Sequence, residues 1–295
     1  MDRHLMIFTT DKRQERVGRL FEGEKKCLTW EKANAWNLRQ SFHGTKEEEW
    51  IYVLPIPVAK LDANPMIKEQ FQQELIKLKD GEHGKVKVFG GVFHKEWTSF
   101  FEEHHIPYWD FMKLPEVVEG NAYITAEATV AEVLKMAEYS ICGQKVAVTG
   151  YGCCGEKIAK LFSKMGAKVT VVARRDEVRE CAKQDGFEAM DFGDMPKYLK
   201  KYGVVINTVP SLVLTEECIR NMSRDSLIID IASKPGGTDF EAAKKYGVSA
   251  KLALSLPGIY TTTSSALLLK NAILKHAPLQ ENVREGKLWI YQIII

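Results

Sequence analysis

The chain has 295 residues, 45% hydrophobic and 27% charged, with 41 Lys and Arg against 39 Asp and Glu for a formal net charge of +2. This balance describes a globular protein of two ordinary domains, excludes a disordered chain, and gives no electrostatic case for a nucleic-acid partner. No secretory leader and no apolar run of about 18 residues is present, so a cytoplasmic protein without a membrane partner is expected.

The N-terminal third reads as a weakly patterned α/β unit. His4–Thr9 is a short apolar strand, Asp11–Phe21 an amphipathic helix, Trp50–Leu54 a strand, Pro65–Lys79 a helix and Lys85–Phe89 a further strand. Strands alternating with helices imply a parallel sheet covered on both faces. Gly120 and Asn121 are expected to break the chain, and Ala126–Tyr139 carries Val130, Val133, Leu134 and Ala137 on one face of a helix long enough to bridge two domains.

Lys145–Thr149 is next, a five-residue apolar strand, followed by Gly150-Tyr151-Gly152-Cys153-Cys154-Gly155, a helix from about Glu156 to Met165 and a second strand, Lys168–Val172. This is the order of a βαβ dinucleotide fingerprint. Gly150 permits the tight turn, Gly152 exposes bare backbone to a pyrophosphate, and Gly155 brings helix and strand together. The helix start supplies free N–H groups and the positive end of a dipole. An NAD-binding chain usually carries a carboxylate at the tip of the second strand, for the ribose 2′-hydroxyl. Ala173 occupies that tip here, followed by Arg174 and Arg175. Paired guanidinium groups hold a phosphate through parallel hydrogen bonds, so NADP(H) is expected in preference to NAD(H). The plainer alternative is two solvated loop arginines.

Six cysteines, Cys27, Cys142, Cys153, Cys154, Cys181 and Cys218, show neither CxxC spacing nor a histidine pattern. No metal site and no disulfide framework are expected. Cys153 and Cys154 could have low thiol pKa values at a helix N-terminus; the reading preferred is that they are small residues tolerated by a crowded turn.

Alternation continues with helices at Asp176–Asp185, Glu216–Asn221, Phe240–Tyr246 and Ser264–His276, and strands at Gly203–Asn207, Ser226–Ile231 and Ser249–Ala253. The apolar tail Leu288–Ile295 would aggregate if left in water, so it is expected to add a strand or to pack on a neighbouring copy in a homo-oligomer. The fold class expected is α/β, with two Rossmann-like doubly wound parallel-sheet domains joined by a long interdomain helix. Residues 1–120 would form a flavodoxin- or Rossmann-like substrate-side domain, 121–140 the helix, 141–276 the NAD(P)-binding domain and 277–295 the packed tail.

Three further loops carry a pattern: Asn207-Thr208-Val209-Pro210-Ser211, the run Asp230 to Phe240 containing Ala232-Ser233-Lys234-Pro235-Gly236-Gly237-Thr238, and Leu256-Pro257-Gly258-Ile259. With Asn121 and Thr125-Ala126-Glu127, these resemble the A subunit of bacterial dipicolinate synthase over roughly residues 120–275. The resemblance implies oxidation of dihydrodipicolinate, a small cyclic dicarboxylate, to dipicolinate with NAD(P). It further implies that the product accumulates in spores and that the partner is a flavoprotein-like B subunit. It also implies that Asn207, Thr208, Val209, Pro210 and Ser211 join the glycine turn, and Ala232, Ser233 and Lys234, around the cofactor. Thr125, Lys234, Pro257 and Gly258 fall on the substrate side. Lys234, Thr125 and Glu127 are the catalytic candidates, with no base identified. Ordinary turn chemistry and helix capping would explain the same residues.

Two departures stand out. Thr263 occupies a place where the family carries a lysine, and Thr9-Thr10 precede Asp11-Lys12-Arg13-Gln14 where the family has Gly-Gly before a similar Asp-x-Arg-Gln. A dianionic substrate needs cations to offset its desolvation, so these positions bear on substrate identity. A 2-hydroxyacid dehydrogenase is disfavoured because Pro257 is followed by Gly258, with no histidine for acid–base work behind it. The remaining alternative is an NADPH-binding regulatory or scaffolding subunit without turnover of its own.

Overall fold

The computed structural model describes residues 2–22, 27–32, 48–63, 65–80, 84–278 and 288–294. They divide into two compact units, Met1–Gly120 with Thr261–Ile295, and Asn121–Tyr260.

In chain order the first unit contains β1 (Asp2–Thr9), α1 (Lys12–Glu22), β2 (Cys27–Lys32), β3 (Glu48–Val53), α2 (Ala59–Asp62), α3 (Pro65–Asp80), β4 (Gly84–Gly90), α4 (Lys95–Glu103) and β5 (Tyr108–Asp110). Helix α5 (Pro115–Met136) then carries the chain into the second unit. That unit holds β6 (Lys145–Thr149), α6 (Cys153–Lys164), β7 (Lys168–Val172), α7 (Asp176–Gln184), β8 (Glu188–Met190), α8 (Met195–Tyr198) and β9 (Val204–Asn207). It ends with α9 (Glu216–Arg220), β10 (Leu227–Asp230), α10 (Phe240–Tyr246), β11 (Ser249–Leu252) and α11 (Leu256–Ile259). Helix α12 (Thr262–His276) and β12 (Leu288–Ile294) return to the first unit.

The second unit's sheet runs β11-β10-β9-β6-β7-β8, with every pairing parallel. Read from the other edge this is the doubly wound dinucleotide-binding order, in which the strand sequence reverses between β6 and β9. Side chains alternate along each strand. Val146, Val148, Val169 and Val171 pack with Ile158 and Phe162 of α6 on one face. Ala147, Val172, Val205 and Ile228 pack with Leu199 and Ile219 on the other.

The first unit's sheet runs β2-β12-β1-β3-β4-β5, also parallel throughout. It is the flavodoxin-like order with the C-terminal strand inserted between β1 and β2. The tail thus adds an interior strand, with Leu288 to Ile294 in register with Arg3 to Thr9; Ile295 lies outside the described residues. Interior placement removes the edge that an apolar strand would otherwise present to another chain.

Two details of the sequence reading differ from the structure. Gly120 and Asn121 do not break the chain; α5 passes through both. A Cβ at Gly120 would lie 2.6 Å from a Leu268 methyl, so this glycine admits the close approach of a neighbouring side chain within a continuous helix. The second difference is that α12 belongs to the first unit, where Ala266, Leu269, Ala272 and Ile273 pack with Leu5, Ile7, Val17 and Phe21. The expected limit of the nucleotide-binding domain at 276 therefore moves to Tyr260, because the apolar stripe of α12 is buried by the β1 and α1 side chains. Among the described residues no helix is long and apolar enough to cross a membrane.

Candidate functional site

The carboxyl ends of the second unit's strands finish level. Val172 of β7 is paired with Thr149 of β6, Thr149 with Asn207 of β9, Asn207 with Asp230 of β10, and Asp230 with Leu252 of β11. Three of these positions are polar residues that end otherwise apolar strands, and all three are fully buried. Burying them without partners would be costly, so their hydrogen bonds reveal their task.

Thr149 donates through Oγ1 to Asn207 Oδ1 at 2.5 Å. Asn207 in turn donates from Nδ2 to the Val209 carbonyl at 3.0 Å and accepts from the Val209 N–H at 3.1 Å. Thr208 donates through Oγ1 to the Thr149 carbonyl at 2.8 Å. Asp230 accepts from the N–H of Ala232 at 3.0 Å, the N–H of Gly237 at 2.8 Å and the Thr238 hydroxyl at 2.7 Å. The loops after β9 and β10 are thus folded back onto their own strand ends. They also meet one another: a Cβ on Gly237 would lie 2.4 Å from the Val209 carbonyl oxygen and 2.5 Å from that of Ser211.

Beside this scaffold the fingerprint turn takes the form the glycine spacing demands. Gly150 has φ +85°, the left-handed region that glycine enters without strain. Gly155 sits with its α-carbon against the turn, so close that a Cβ would be 2.3 Å from the Gly150 carbonyl oxygen. Gly152 faces open space, with nothing within 4 Å of the position a Cβ would take. It caps α6, which begins at Cys153. Tyr151 anchors the turn: its hydroxyl donates to Asp185 Oδ2 at 2.7 Å and its ring meets Phe187 edge-on. Burial, then the Asp185 carboxylate, push the Tyr151 phenol far above its ordinary range. Tyr151 and Lys160 hold Asp185 below the usual carboxylate range.

Between this turn and the tip of β7 lies an open groove of about 390 Å³, lined by Gly150, Tyr151, Gly152, Ala173, Arg174, Arg175, Val178, Phe192, Val209 and Ser211. Eight of the residues singled out in the sequence are brought together here. Val178 and Phe192 were not singled out; one comes from α7 and the other from the segment after β8, neither within a recognisable motif. The lining contains two guanidinium groups and no carboxylate. Its residue types suit a dinucleotide, with backbone N–H groups at one end, apolar side chains between, and cations at the strand tip.

The remaining singled-out residues lie elsewhere in this unit. Asn207, Thr208 and Gly155 form the support beneath the groove. Ala232 is buried, while Ser233 and Lys234 are exposed in the loop after β10 and do not line the groove. Pro210 is exposed, Pro257 is buried in α11, and Gly258 donates its N–H to the Ser255 carbonyl at 2.8 Å. The helix-capping alternative does not apply to Thr125 and Glu127, because α5 begins ten residues before Thr125, at Pro115. Thr125 is buried and donates to the Asn121 carbonyl one turn back at 2.7 Å, whereas Glu127 is exposed. Cys153 is exposed, and the Cys154 thiol is pushed up by burial and by its neighbour Cys153. This runs against an activated thiolate at Cys154.

A further cluster has no counterpart in the sequence reading. Glu132 of α5 is buried and accepts from the Tyr260 hydroxyl and from Lys251 Nζ, each at 2.6 Å. Burial raises its pKa, but the Lys251 and Tyr260 hydrogen bonds prevail and hold the carboxyl below its ordinary value. In the first unit, the Asp-x-Arg-Gln run has a structural account. Asp11 accepts from the N–H groups of Arg13 and Gln14 at the start of α1, and its carboxylate pairs with the buried Arg13 at 2.7 Å. Gln14, fully buried, joins Thr10, just after β1, to the Leu54 carbonyl, just after β3.

Fold and groove together define the class: an α/β protein with a Rossmann unit of the dehydrogenase kind. The chain belongs to the family described as alanine dehydrogenase/PNT, C-terminal domain, which matches residues 117–288. It is 29% identical over 224 residues to the A subunit of dipicolinate synthase from Bacillus subtilis, a match covering 75% of each chain, which bears out the resemblance read from the loops. It is also 30% identical to an alanine dehydrogenase of Staphylococcus epidermidis over 47% of this chain and 43% of that one. The fold matches the crystal structure of the dipicolinate synthase A subunit from Bacillus halodurans, with a TM-score of 0.72, 24% identity, and 93% and 97% of the two chains covered. The protein is dehydrogenase-like in kind.

Proposed function

We propose that the chain is an NADP-dependent oxidoreductase of the same type as the A subunit of dipicolinate synthase, converting dihydrodipicolinate to dipicolinate. The observation that carries the cofactor reading is the groove lining, which holds Arg174 and Arg175 and no carboxylate. A 2′-phosphate would meet paired donors there, and nothing in the lining would repel it.

The groove also fits the rest of such a group. Gly152 leaves room for a pyrophosphate at the start of α6, Gly150 makes the tight turn, and Tyr151, Cys153 and Cys154 place backbone N–H groups around it. Val178 and Phe192 offer apolar surface to an adenine, and Thr208, Val209, Pro210 and Ser211 offer loop backbone to a ribose. Bound NADP⁺ would supply the hydride acceptor. On the substrate side, Lys234 offers a cation to a carboxylate, with Thr125, Pro257 and Gly258 as further candidates, and Lys234, Thr125 and Glu127 are the catalytic candidates. Catalysis by orientation and charge complementarity suits an aromatising oxidation, which needs no covalent intermediate. A homo-oligomer, a cytoplasmic location and a flavoprotein-like B subunit belong to the same reading.

The test is the purified protein with dihydrodipicolinate and NADP⁺, following growth of the reduced-coenzyme absorbance. No growth, with or without a B subunit, overturns the assignment. A second reading, an NADPH-binding regulatory or scaffolding subunit, is favoured by Thr263, an exposed threonine where the family carries a lysine. It predicts NADPH binding without hydride transfer to any dicarboxylate.

A further inference from the structure

At the edge of the groove, Arg179 of α7 is spent on the protein itself. Its Nη1 donates to the Ala173 and Arg174 carbonyl oxygens, both at 2.7 Å, and to Asp191 Oδ2 at 3.1 Å. Its Nη2 pairs with Asp176. Ala173 and Arg174 are the tip of β7, and Asp191 follows β8, whose Met190 carbonyl accepts the Ala173 N–H at 3.1 Å. One guanidinium therefore ties the carboxyl ends of two adjacent strands. The side chain is 17% exposed and does not line the groove. Arg174 and Arg175, by contrast, are exposed on the lining and form no ion pair among the described residues.

We infer that Arg179 is the positioning residue for coenzyme selection: it fixes the β7 tip that carries Arg174 and Arg175, and it offsets the carboxylates of Asp176 and Asp191, with which it pairs. This rests on the NADP reading above. Two physical effects act together. One terminal nitrogen, Nη1, meets both carbonyl oxygens while the other, Nη2, pairs with Asp176, so the planar fork ties the β7 tip to the start of α7 and sets the backbone direction from which the two free arginines leave. Its charge also counters Asp176 and Asp191, which would otherwise repel a 2′-phosphate carrying between one and two negative charges near neutral pH, as a phosphate monoester does. A lysine at 179 would replace the charge without the fork. Arg179 is thus separable from the groove arginines: they would touch the phosphate, and it acts through them.

The experiment compares NADPH with NADH, and 2′,5′-ADP with 5′-AMP, by titration calorimetry on the full-length protein and on Arg179→Met, Arg179→Lys and the double variant Arg174→Ala/Arg175→Ala. Arg179→Met is expected to lower the ratio of NADPH to NADH affinity about tenfold, the equivalent of one charge-assisted hydrogen bond. Arg179→Lys is expected to restore part of that loss. Asp191→Asn added to Arg179→Met is expected to recover NADPH affinity by removing a repelling charge. Equal weakening of both coenzymes in Arg179→Met, or no recovery with Asp191→Asn, means a merely structural role and overturns the inference. Should Arg179→Met not fold, Arg179→Lys and Asp191→Asn in the parent chain give the ratio instead. Loss of selectivity in the double variant with none in the Arg179 variants overturns this inference alone. A parent chain that prefers NADH, or binds neither coenzyme, overturns the NADP reading beneath it.

Discussion

Replacing Gly155 by alanine tests whether the turn is built as described. The new methyl carbon would stand 2.3 Å from the Gly150 carbonyl oxygen and 2.9 Å from its carbon. The first separation is more than about 1 Å inside the distance at which heavy atoms attract. Both obstacles are backbone, held by the Gly150 N–H donating to the Val172 carbonyl at 2.8 Å, so neither can swing aside. Overpacking of this kind costs about 1–3 kcal/mol, and backbone obstacles point to the upper end. Alanine recovers about 1 kcal/mol of helix propensity. The net loss of about 2 kcal/mol corresponds to a fall of roughly 5–10 °C in the Tm of a unit of this size. Gly152→Ala is the control. Its methyl meets nothing within 4 Å and its φ of −84° suits any residue, so Tm should hold while coenzyme affinity falls. Differential scanning calorimetry and coenzyme titration on both variants decide the matter. Equal Tm losses, or no loss in Gly155→Ala, would refute the division of labour between the two glycines.

Other parts of the scaffold give further expectations. Asp230→Ala leaves three buried donors without an acceptor, and at about 1–3 kcal/mol each the loss should reach roughly 3 kcal/mol or more in urea denaturation; a loss below 1 kcal/mol, taken as about the smallest such effect, would mean water or relaxation replaces the carboxylate. Glu132 has a folded pKa below its ordinary 4.5, so as pH falls the unfolded chain takes up the proton first. Its stabilisation is complete above about pH 5 and disappears as pH drops through the folded value, so Glu132→Gln should flatten the acid limb of a stability–pH curve and leave the neutral region's slope unchanged. Cys154, half-buried with its thiol pKa raised, should alkylate more slowly at neutral pH than the exposed Cys142 and Cys181 when followed by mass spectrometry.

Much of the second unit could be read in the sequence because its signals are local. The glycine turn, the apolar pentapeptide before it and the arginines after it lie within a single βαβ segment, and the structure sets Gly150, Gly152, Ala173, Arg174 and Arg175 around one groove. Arg179 was missed because its significance lies in carbonyl oxygens that come within reach only when α7 packs beside the β7 tip. Phe192 was missed for a similar reason. A usable signal did exist for Thr149, Asn207 and Asp230: each is the one polar residue closing an apolar strand, and a polar side chain buried at a strand end must organise something. Glu132 lies more than a hundred residues from Lys251 and Tyr260, a pairing that no periodicity reveals. Gly120 misled because glycine within a helix and glycine ending one look alike until the Leu268 side chain is seen against it.

The distribution of these features separates two questions that a single activity assay would merge. The candidate coenzyme groove and everything that supports it lie within Asn121–Tyr260, whereas both departures from the dipicolinate-synthase-like pattern, at Thr263 and at Thr9-Thr10, lie in the other unit. Coenzyme binding can therefore be intact in a chain whose substrate has changed. The first unit still carries cations near its own strand ends, but they are engaged: Arg13 is paired with Asp11, and Lys60 donates to the Thr10 hydroxyl at 3.2 Å. A dianionic substrate meeting them would have to compete with Asp11 for Arg13, and the desolvation of its second carboxylate would lack the lysine expected at 263. A monocarboxylate would face a smaller penalty. If the chain binds NADPH but fails to oxidise dihydrodipicolinate, restoring the cation with Thr263→Lys is the discriminating step. Rescue would place the defect in substrate charge complementarity, and its absence would favour a protein that holds the coenzyme without turnover.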